Sequence, residues 1–307
     1  MVFSIVIPVY NREDYLKNAL KSALLQNDFF DYEIIVVDDG SKIELKPVID
    51  LFQINSKIKI NYFKIENSGP GLARNFGVTK AQGKYIVFLD SDDLLYQGAL
   101  HVYKKMIESH DFSAFITLRF NQLNEQIDTE IYLVENQKLE YCTYKSYLYK
   151  KSNPEFGASN IVVKKKCFDE VGGFDRPRNR SFHLEDHDLL LKLAKFSNFG
   201  IIFQPKTVVY RIHESNSINE IEKILIGINN LTEKYKNNEY ESKKISRFRT
   251  RAIIGIPVFH WSIKLLKQKM FKKAFKLMFT DFVMILSFIV VFLPIKLNLS
   301  KNERKSI

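Results

Sequence analysis

Two cysteines in 307 residues, Cys142 and Cys167, are too few for a disulfide framework, and neither has a second cysteine at CxxC spacing for a zinc or redox pair. A reducing, cytosolic setting is therefore expected. No uninterrupted apolar stretch reaches the roughly 20 residues of a membrane-spanning helix. The start, Met1-Val2-Phe3-Ser4-Ile5-Val6-Ile7-Pro8, lacks a basic leader and is only as long as a strand, so it reads as a buried strand rather than a targeting segment. With 12 glycines and 8 prolines there is no collagen-like period or low-complexity linker, and 46% hydrophobic with 26% charged residues describes a folded globular chain. Several common ligand motifs are missing too. No GxxxxGK(S/T) phosphate loop occurs, and Gly69-x-Gly71 has Arg74 where a dinucleotide fingerprint requires glycine. His183 and His187 stand at i, i+4, but HLEDH is not HExxH and no third zinc ligand is evident.

Acid is scarce at one end. Residues 240–307 hold 15 Lys or Arg against three acids, whereas residues 1–239 hold 31 against 32, so the formal charge of +11 belongs to the C-terminal part. A nucleic-acid-binding enzyme carries positive charge over its working surface. Here the first 239 residues are close to neutral, and no nucleic-acid partner is expected.

What is present is an alternation of apolar, β-branched runs with helical periodicity. Residues 3–7, 33–37, 57–64 and 85–89 read as strands, and residues 13–26 and 71–81 as helices. This is the pattern of an α/β fold, a mostly parallel sheet flanked by helices. Ligands of such sheets bind beyond the carboxyl ends of the strands. The strand ends here carry Pro8-Val9-Tyr10-Asn11, Asp38-Asp39-Gly40-Ser41, Glu66-Asn67-Ser68-Gly69-Pro70-Gly71 and Asp90-Ser91-Asp92-Asp93. All four would meet in one crevice.

Asp90-Ser91-Asp92 places two carboxylates where both reach a hard divalent cation such as Mn²⁺ or Mg²⁺, although the same residues can cap the following helix. Asp39 can accept hydrogen bonds from a base or ribose while Tyr10 offers a ring for stacking, or Asp38-Asp39-Gly40-Ser41 can be an ordinary turn. Arg74, on the first turns of a helix, can face a diphosphate. Glu185-Asp186 opens another helix, where two acids also complement the helix dipole.

The segments Ser4 to Asn11, Glu33 to Ser41, Asn67 to Gly77 and Gly83 to Asp93, followed by Gly172-Gly173-Phe174-Asp175, Glu185-Asp186 and Tyr210-Arg211-Ile212-His213, resemble in order and spacing the family 2 glycosyltransferases of GT-A fold. The resemblance covers about residues 1–217. It implies a nucleotide-sugar donor, a divalent metal and inversion at the anomeric carbon. By that similarity Pro8, Tyr10, Asn11 and Asp39 would line the nucleotide pocket, with Tyr10 and Asp39 holding the base and Arg74 near the base or diphosphate. Asp90 and Ser91 would contact the donor, Asp92 would ligate the metal, and His213 would approach the metal or diphosphate. Asp186 would be the catalytic base, beside Glu185.

The expected activity is transfer of a sugar, from a UDP-sugar by preference, to a hydroxyl of a polysaccharide or lipid-linked oligosaccharide. Transfer to polyprenyl phosphate and a non-catalytic sugar-nucleotide-binding role in a glycan-assembly complex are the alternatives. The expected layout is a GT-A domain over 1–217, with a nucleotide-binding half (1–110) and an acceptor half (111–217). A connecting helical segment would follow over 218–240 and a basic, apolar tail over 241–307. In that tail, 261–279 reads as a basic amphipathic helix with Ile263, Leu266, Met270, Ala274, Leu277 and Met278 near one face, and the apolar run 282–295 follows. These features lead to an expected location at the inner face of the cell membrane, bound to its anionic surface, with an oligomer possible; a true span, and packing of these helices on the catalytic domain or a second subunit, are the alternatives.

Overall fold

The computed structural model describes residues 1–26, 31–123, 134, 137–145, 147–149, 157–175, 183–196, 198–213, 220–242, 246–292 and 305–306. Among these, nine strands form one sheet. Its order is β3 (Lys59–Lys64), β2 (Tyr32–Asp38), β1 (Phe3–Val9), β4 (Tyr85–Phe88), β9 (Ile161–Lys164), β6 (Ala114–Thr117), β10 (Phe199–Gln204), β8 (Glu140–Tyr144) and β12 (Lys305–Ser306). β3, β2, β1 and β4 run parallel; β9 is antiparallel to both β4 and β6. A smaller sheet joins β5 (Leu94–Leu95), β11 (Val208–Ile212) and β7 (Arg119–Leu123). The four strands read from the sequence are present, with ends displaced by one or two residues.

The helices fall on two sides because each buried strand feeds two cores. Along β1, Phe3, Ile5 and Ile7 point into a cluster shared with Leu16, Ala19 and Leu20 of α1 (Glu13–Leu24), Ile49 of α2 (Lys46–Ile54) and Val102 and Tyr103 of α4 (Ala99–Ser109). Val6 points to the other face, onto Ala73 of α3 (Pro70–Lys80) and Leu189 and Leu190 of α6 (Glu185–Leu193). Period-two alternation in a strand covered on both sides makes both sets apolar, which is why β1 and β2 are buried along their whole length.

The second core extends into the C-terminal helices. α7 (Ile221–Lys236) contributes Ile224, Ile228 and Leu231, and α8 (Arg247–Lys267) contributes Ile253, Val258, Trp261 and Leu265. α9 (Phe271–Thr280) adds Ala274 and Leu277, and α10 (Phe282–Phe292) adds Met284 and Ile285. The expected single helix over 261–279 is broken: α8 ends at Lys267, Lys269 takes φ +60°, and α9 starts at Phe271. Ala274 and Leu277 then face the protein, while Ile263 is exposed. α10 crosses α8 at Gly255, where a Cβ would lie 2.2 Å from the Met284 carbonyl oxygen, so only glycine permits that approach. The end of the apolar run 282–295 lies outside the described residues.

Candidate active site

The strand ends of β1, β2 and β4 open on one edge of the sheet, and the loops there are tied to one another by side chains. Asn11, with φ +53°, donates its backbone N–H to Ser41 Oγ at 2.8 Å, and its Oδ1 accepts from the Lys42 N–H at 2.7 Å. The Asp39 carboxylate is buried and accepts from the Ser68 N–H at 2.7 Å, the Gly69 N–H at 2.9 Å and Ser68 Oγ at 3.1 Å. Asp39 therefore anchors the turn that leads into α3. Pro8 is buried within β1, whereas Tyr10, just past the strand, is 43% exposed with its ring open to solvent.

Arg74 is the link between the two halves of the crevice. It is only 3% exposed, donates from Nη2 to Asp90 Oδ1 at 2.5 Å and from Nη1 to Glu185 Oε1 at 3.1 Å, and lies 5.2 Å from the Phe174 ring centroid. Burial opposes its charge, but the two carboxylates outweigh that and hold the guanidinium firmly protonated. A helix residue thus joins the end of β4 to the start of α6, 111 positions away in sequence.

At the end of β4 the carboxylates crowd together. Ligand atoms of Asp90, Asp92 and Asp93 lie within 4.8 Å of one another. Buried Ser91 sits between the first two. Asp92 pairs with Arg12, and its Oδ2 lies 3.0 Å from His213 Nε2. Burial raises the Asp92 carboxyl, but His213 and Arg12 outweigh it and hold it below the usual carboxylate range. Asp93 goes the other way: burial, and then the negative charges of Asp92 and Asp90, push it well above its ordinary value. Asp93 accepts from Ser159 Oγ at 2.6 Å and from the Arg211 N–H at 3.2 Å, which ties this loop to β9's approach and to β11. The His213 ring stacks on Tyr15 of α1 with centroids 5.0 Å apart. A divalent cation fits this donor set, because three carboxylates converge and their mutual repulsion is what such an ion removes; His213 joins them through Asp92, which Arg12 also pairs.

Glu185 and Asp186 open α6, with Leu184 before them at φ +70°. Burial raises the Asp186 carboxyl, yet His187, whose N–H it accepts at 2.8 Å and whose Nδ1 lies 3.0 Å away, and Arg74 together bring it below the usual range. Glu185 is raised by burial, which the nearby Arg74 offsets only in part. The two adjacent acids are thus shifted in opposite directions, Glu185 upward and Asp186 downward. α7 buttresses this segment from behind: a Cβ at Gly227 would lie 2.1 Å from the His183 carbonyl oxygen.

The sequence leads to Asp90, Asp92, Arg74, Glu185, Asp186 and His213 in one site, and the structure shows the ion pairs among them: Arg74 with Asp90 and Glu185, and His213 with Asp92. The sequence reading assigns no site role to Arg12, Tyr15 or Asp93, and considers His187 only as a zinc ligand. Arg12 sits one residue past a strand-end motif already noted and Asp93 is the last residue of another, so position is the available signal. Tyr15 had none, because its helical spacing marked it as core.

Glycosyl transferase family 2 matches residues 4–172 of the chain. A curated relative from Rickettsia felis named an uncharacterized glycosyltransferase is 28% identical over 275 residues, covering 88% of this chain and 42% of the relative. The chain thus spans less than half the length of that relative. Among solved structures, S. aureus TarS 1-349 in complex with UDP-GlcNAc superposes with a TM-score of 0.61 at 16% identity, covering 84% of this chain and 72% of that one. A mannosyltransferase from Pyrobaculum calidifontis in complex with GDP-Man and Mn²⁺ gives a TM-score of 0.60 at 13% identity, covering 94% and 86%. Both share the fold.

Proposed function

The chain belongs to glycosyl transferase family 2, and from that premise we propose that it is an inverting, metal-dependent glycosyltransferase that moves a sugar from a nucleoside diphosphate to an acceptor hydroxyl. The observation that carries the reading is Arg74, which holds Asp90 at the end of β4 and Glu185 at the start of α6 against a single guanidinium. Donor-side and acceptor-side acids are thereby kept at a set distance.

Direct displacement requires a base on the face of the sugar opposite the leaving group. Asp186 is suited to it, being ionised and oriented by His187. Its carboxylate takes the proton of the acceptor hydroxyl, the acceptor oxygen bonds to the anomeric carbon, and the bond from that carbon to the diphosphate oxygen breaks with inversion. Asp92, with Asp90 and His213 beside it, would hold a Mn²⁺ or Mg²⁺ ion, which when bound supplies positive charge against the leaving diphosphate. Arg74 positions both acids. Tyr10, exposed at the end of β1, is available to stack on the base, and the Asp39-anchored turn shapes the pocket wall.

A uridine nucleotide is favoured by the UDP-GlcNAc complex of TarS, while the GDP-Man complex makes guanosine the comparison to run. The acceptor in this reading is a polysaccharide or lipid-linked oligosaccharide. The test is a panel of nucleotide sugars with Mn²⁺, read first as thermal stabilisation and then as nucleoside diphosphate release with and without acceptor glycans. Failure of every nucleotide sugar to stabilise the protein or to be consumed would overturn the proposal.

A further inference from the structure

α9 and α10 are apolar on two sides. One side, Ala274, Leu277, Met284 and Ile285, is buried against the rest of the protein. The other presents Phe271, Phe275, Phe279, Phe282, Val283, Leu286 and Val290, each between 48% and 81% exposed. Single exposed apolar residues need no explanation, but seven within one 20-residue stretch form a patch of the kind that marks an interaction surface. At about 100° per residue, the three phenylalanines of α9 share an arc of about 80°, and Lys272 and Lys276 follow directly beside it. The exposed face of α10 has no charge at all.

The flanking charge is of one sign. Lys273 pairs with Glu222 of α7, whereas the exposed Lys267, Lys269, Lys272 and Lys276 make no ion pair among the described residues. The acid between the helices, Asp281, is buried. A phenylalanine ridge edged by unpaired lysines complements an anionic lipid bilayer, with rings at the acyl boundary and ammonium groups among the phosphates. Neither helix alone, with 10 and 11 residues, is long enough to span; the pair together has the length and apolar composition for it, but is bent by 76°.

We propose that the outer face of α9 and α10 is a docking surface for an anionic lipid bilayer, inserted at the interface without crossing it. It differs from the face marked by the sequence period, since Ala274 and Leu277 of that face pack inward. The proposal does not depend on the glycosyltransferase reading, because lipid binding is measured without donor or acceptor.

The test uses the full chain and vesicles of phosphatidylcholine alone or mixed with phosphatidylglycerol, followed by co-sedimentation at low and high salt. Circular dichroism melts establish that the variants fold. Binding to the mixed vesicles is expected, with at least about tenfold weaker partition for Phe275→Ser with Phe279→Ser, and for Lys272→Gln with Lys276→Gln, and with loss of binding at high salt. No binding to the mixed vesicles, or binding indifferent to the phenylalanine pair, overturns it. So does concentration-dependent self-association in sedimentation velocity that the phenylalanine pair abolishes, which would make a second copy of the chain the occupant.

Discussion

Lys234 of α7 donates to Asp188 of α6 at 2.7 Å, and Asp188 is completely buried. The same carboxylate accepts from Tyr240 Oη at 2.6 Å and faces Lys192 at 3.3 Å, while Asp175 receives both lysines from the other side. Two acids, two lysines and a tyrosine lock α6, at a position two residues past Asp186, to α7 and the segment after it; all of these lie beyond the family match, which ends at residue 172.

Breaking this cluster leaves an uncompensated buried charge. Lys234→Met is expected to cost about 3–5 kcal/mol in urea unfolding, and Tyr240→Phe, which removes only one hydrogen bond to an ionised partner, about 1.5–3 kcal/mol. Equal small losses for both variants would show that the cluster is not the locking element.

The cluster also sets a pH dependence. Asp175 is raised by burial but lowered more by Lys192 and Lys234, so its folded value is depressed; its stabilisation holds above the unfolded value and is lost as pH falls through the folded one. Burial lowers Lys234, yet Asp188 and Asp175 raise it more, so its contribution holds below the ordinary lysine value and is lost as pH climbs through the elevated one. A stability plateau between these limits is expected, and Lys234→Met should flatten the alkaline decline measured by chemical denaturation across pH.

Asp186→Asn keeps the side chain's size and removes its basicity. Transfer should fall about 10²- to 10⁴-fold, with donor affinity by calorimetry almost unchanged. A variant retaining most of its turnover would move the base elsewhere, or indicate an acceptor already ionised.

Metal binding can be read without turnover. Mn²⁺ at about 100 times its dissociation constant should raise unfolding stability by about 2.7 kcal/mol, and Asp92→Asn should abolish the rise. His213→Ala should weaken it, since the imidazole lies 3.0 Å from the same carboxylate oxygen. An unchanged response in His213→Ala would leave that histidine as a partner of Asp92 and Tyr15 with no part in holding the metal.

Gly227→Ala inserts a methyl where the His183 carbonyl already stands. A loss of about 1–3 kcal/mol is expected, together with lower kcat at similar donor affinity, because the displaced backbone leads directly into Glu185 and Asp186.

The sequence by itself determined the alternation of strands and helices, and with it the edge at which chemistry collects. Parallel strands in register put their carboxyl ends together, so Tyr10, Asp39 and Asp90 were legible as neighbours from local pattern alone. Helical period likewise marked α6 and its opening acids. What only the tertiary structure decided is the pairing: Arg12 with Asp92, Arg74 between Asp90 and Glu185, Lys234 on Asp188. Such contacts join positions 16 to 111 residues apart, and no local propensity encodes which of many lysines, arginines and acids meet. The tail shows the same limit in another form. Period and composition identified amphipathic, basic helices, but when a helix is apolar on two sides, only docking decides which face enters the core and which is left for a partner.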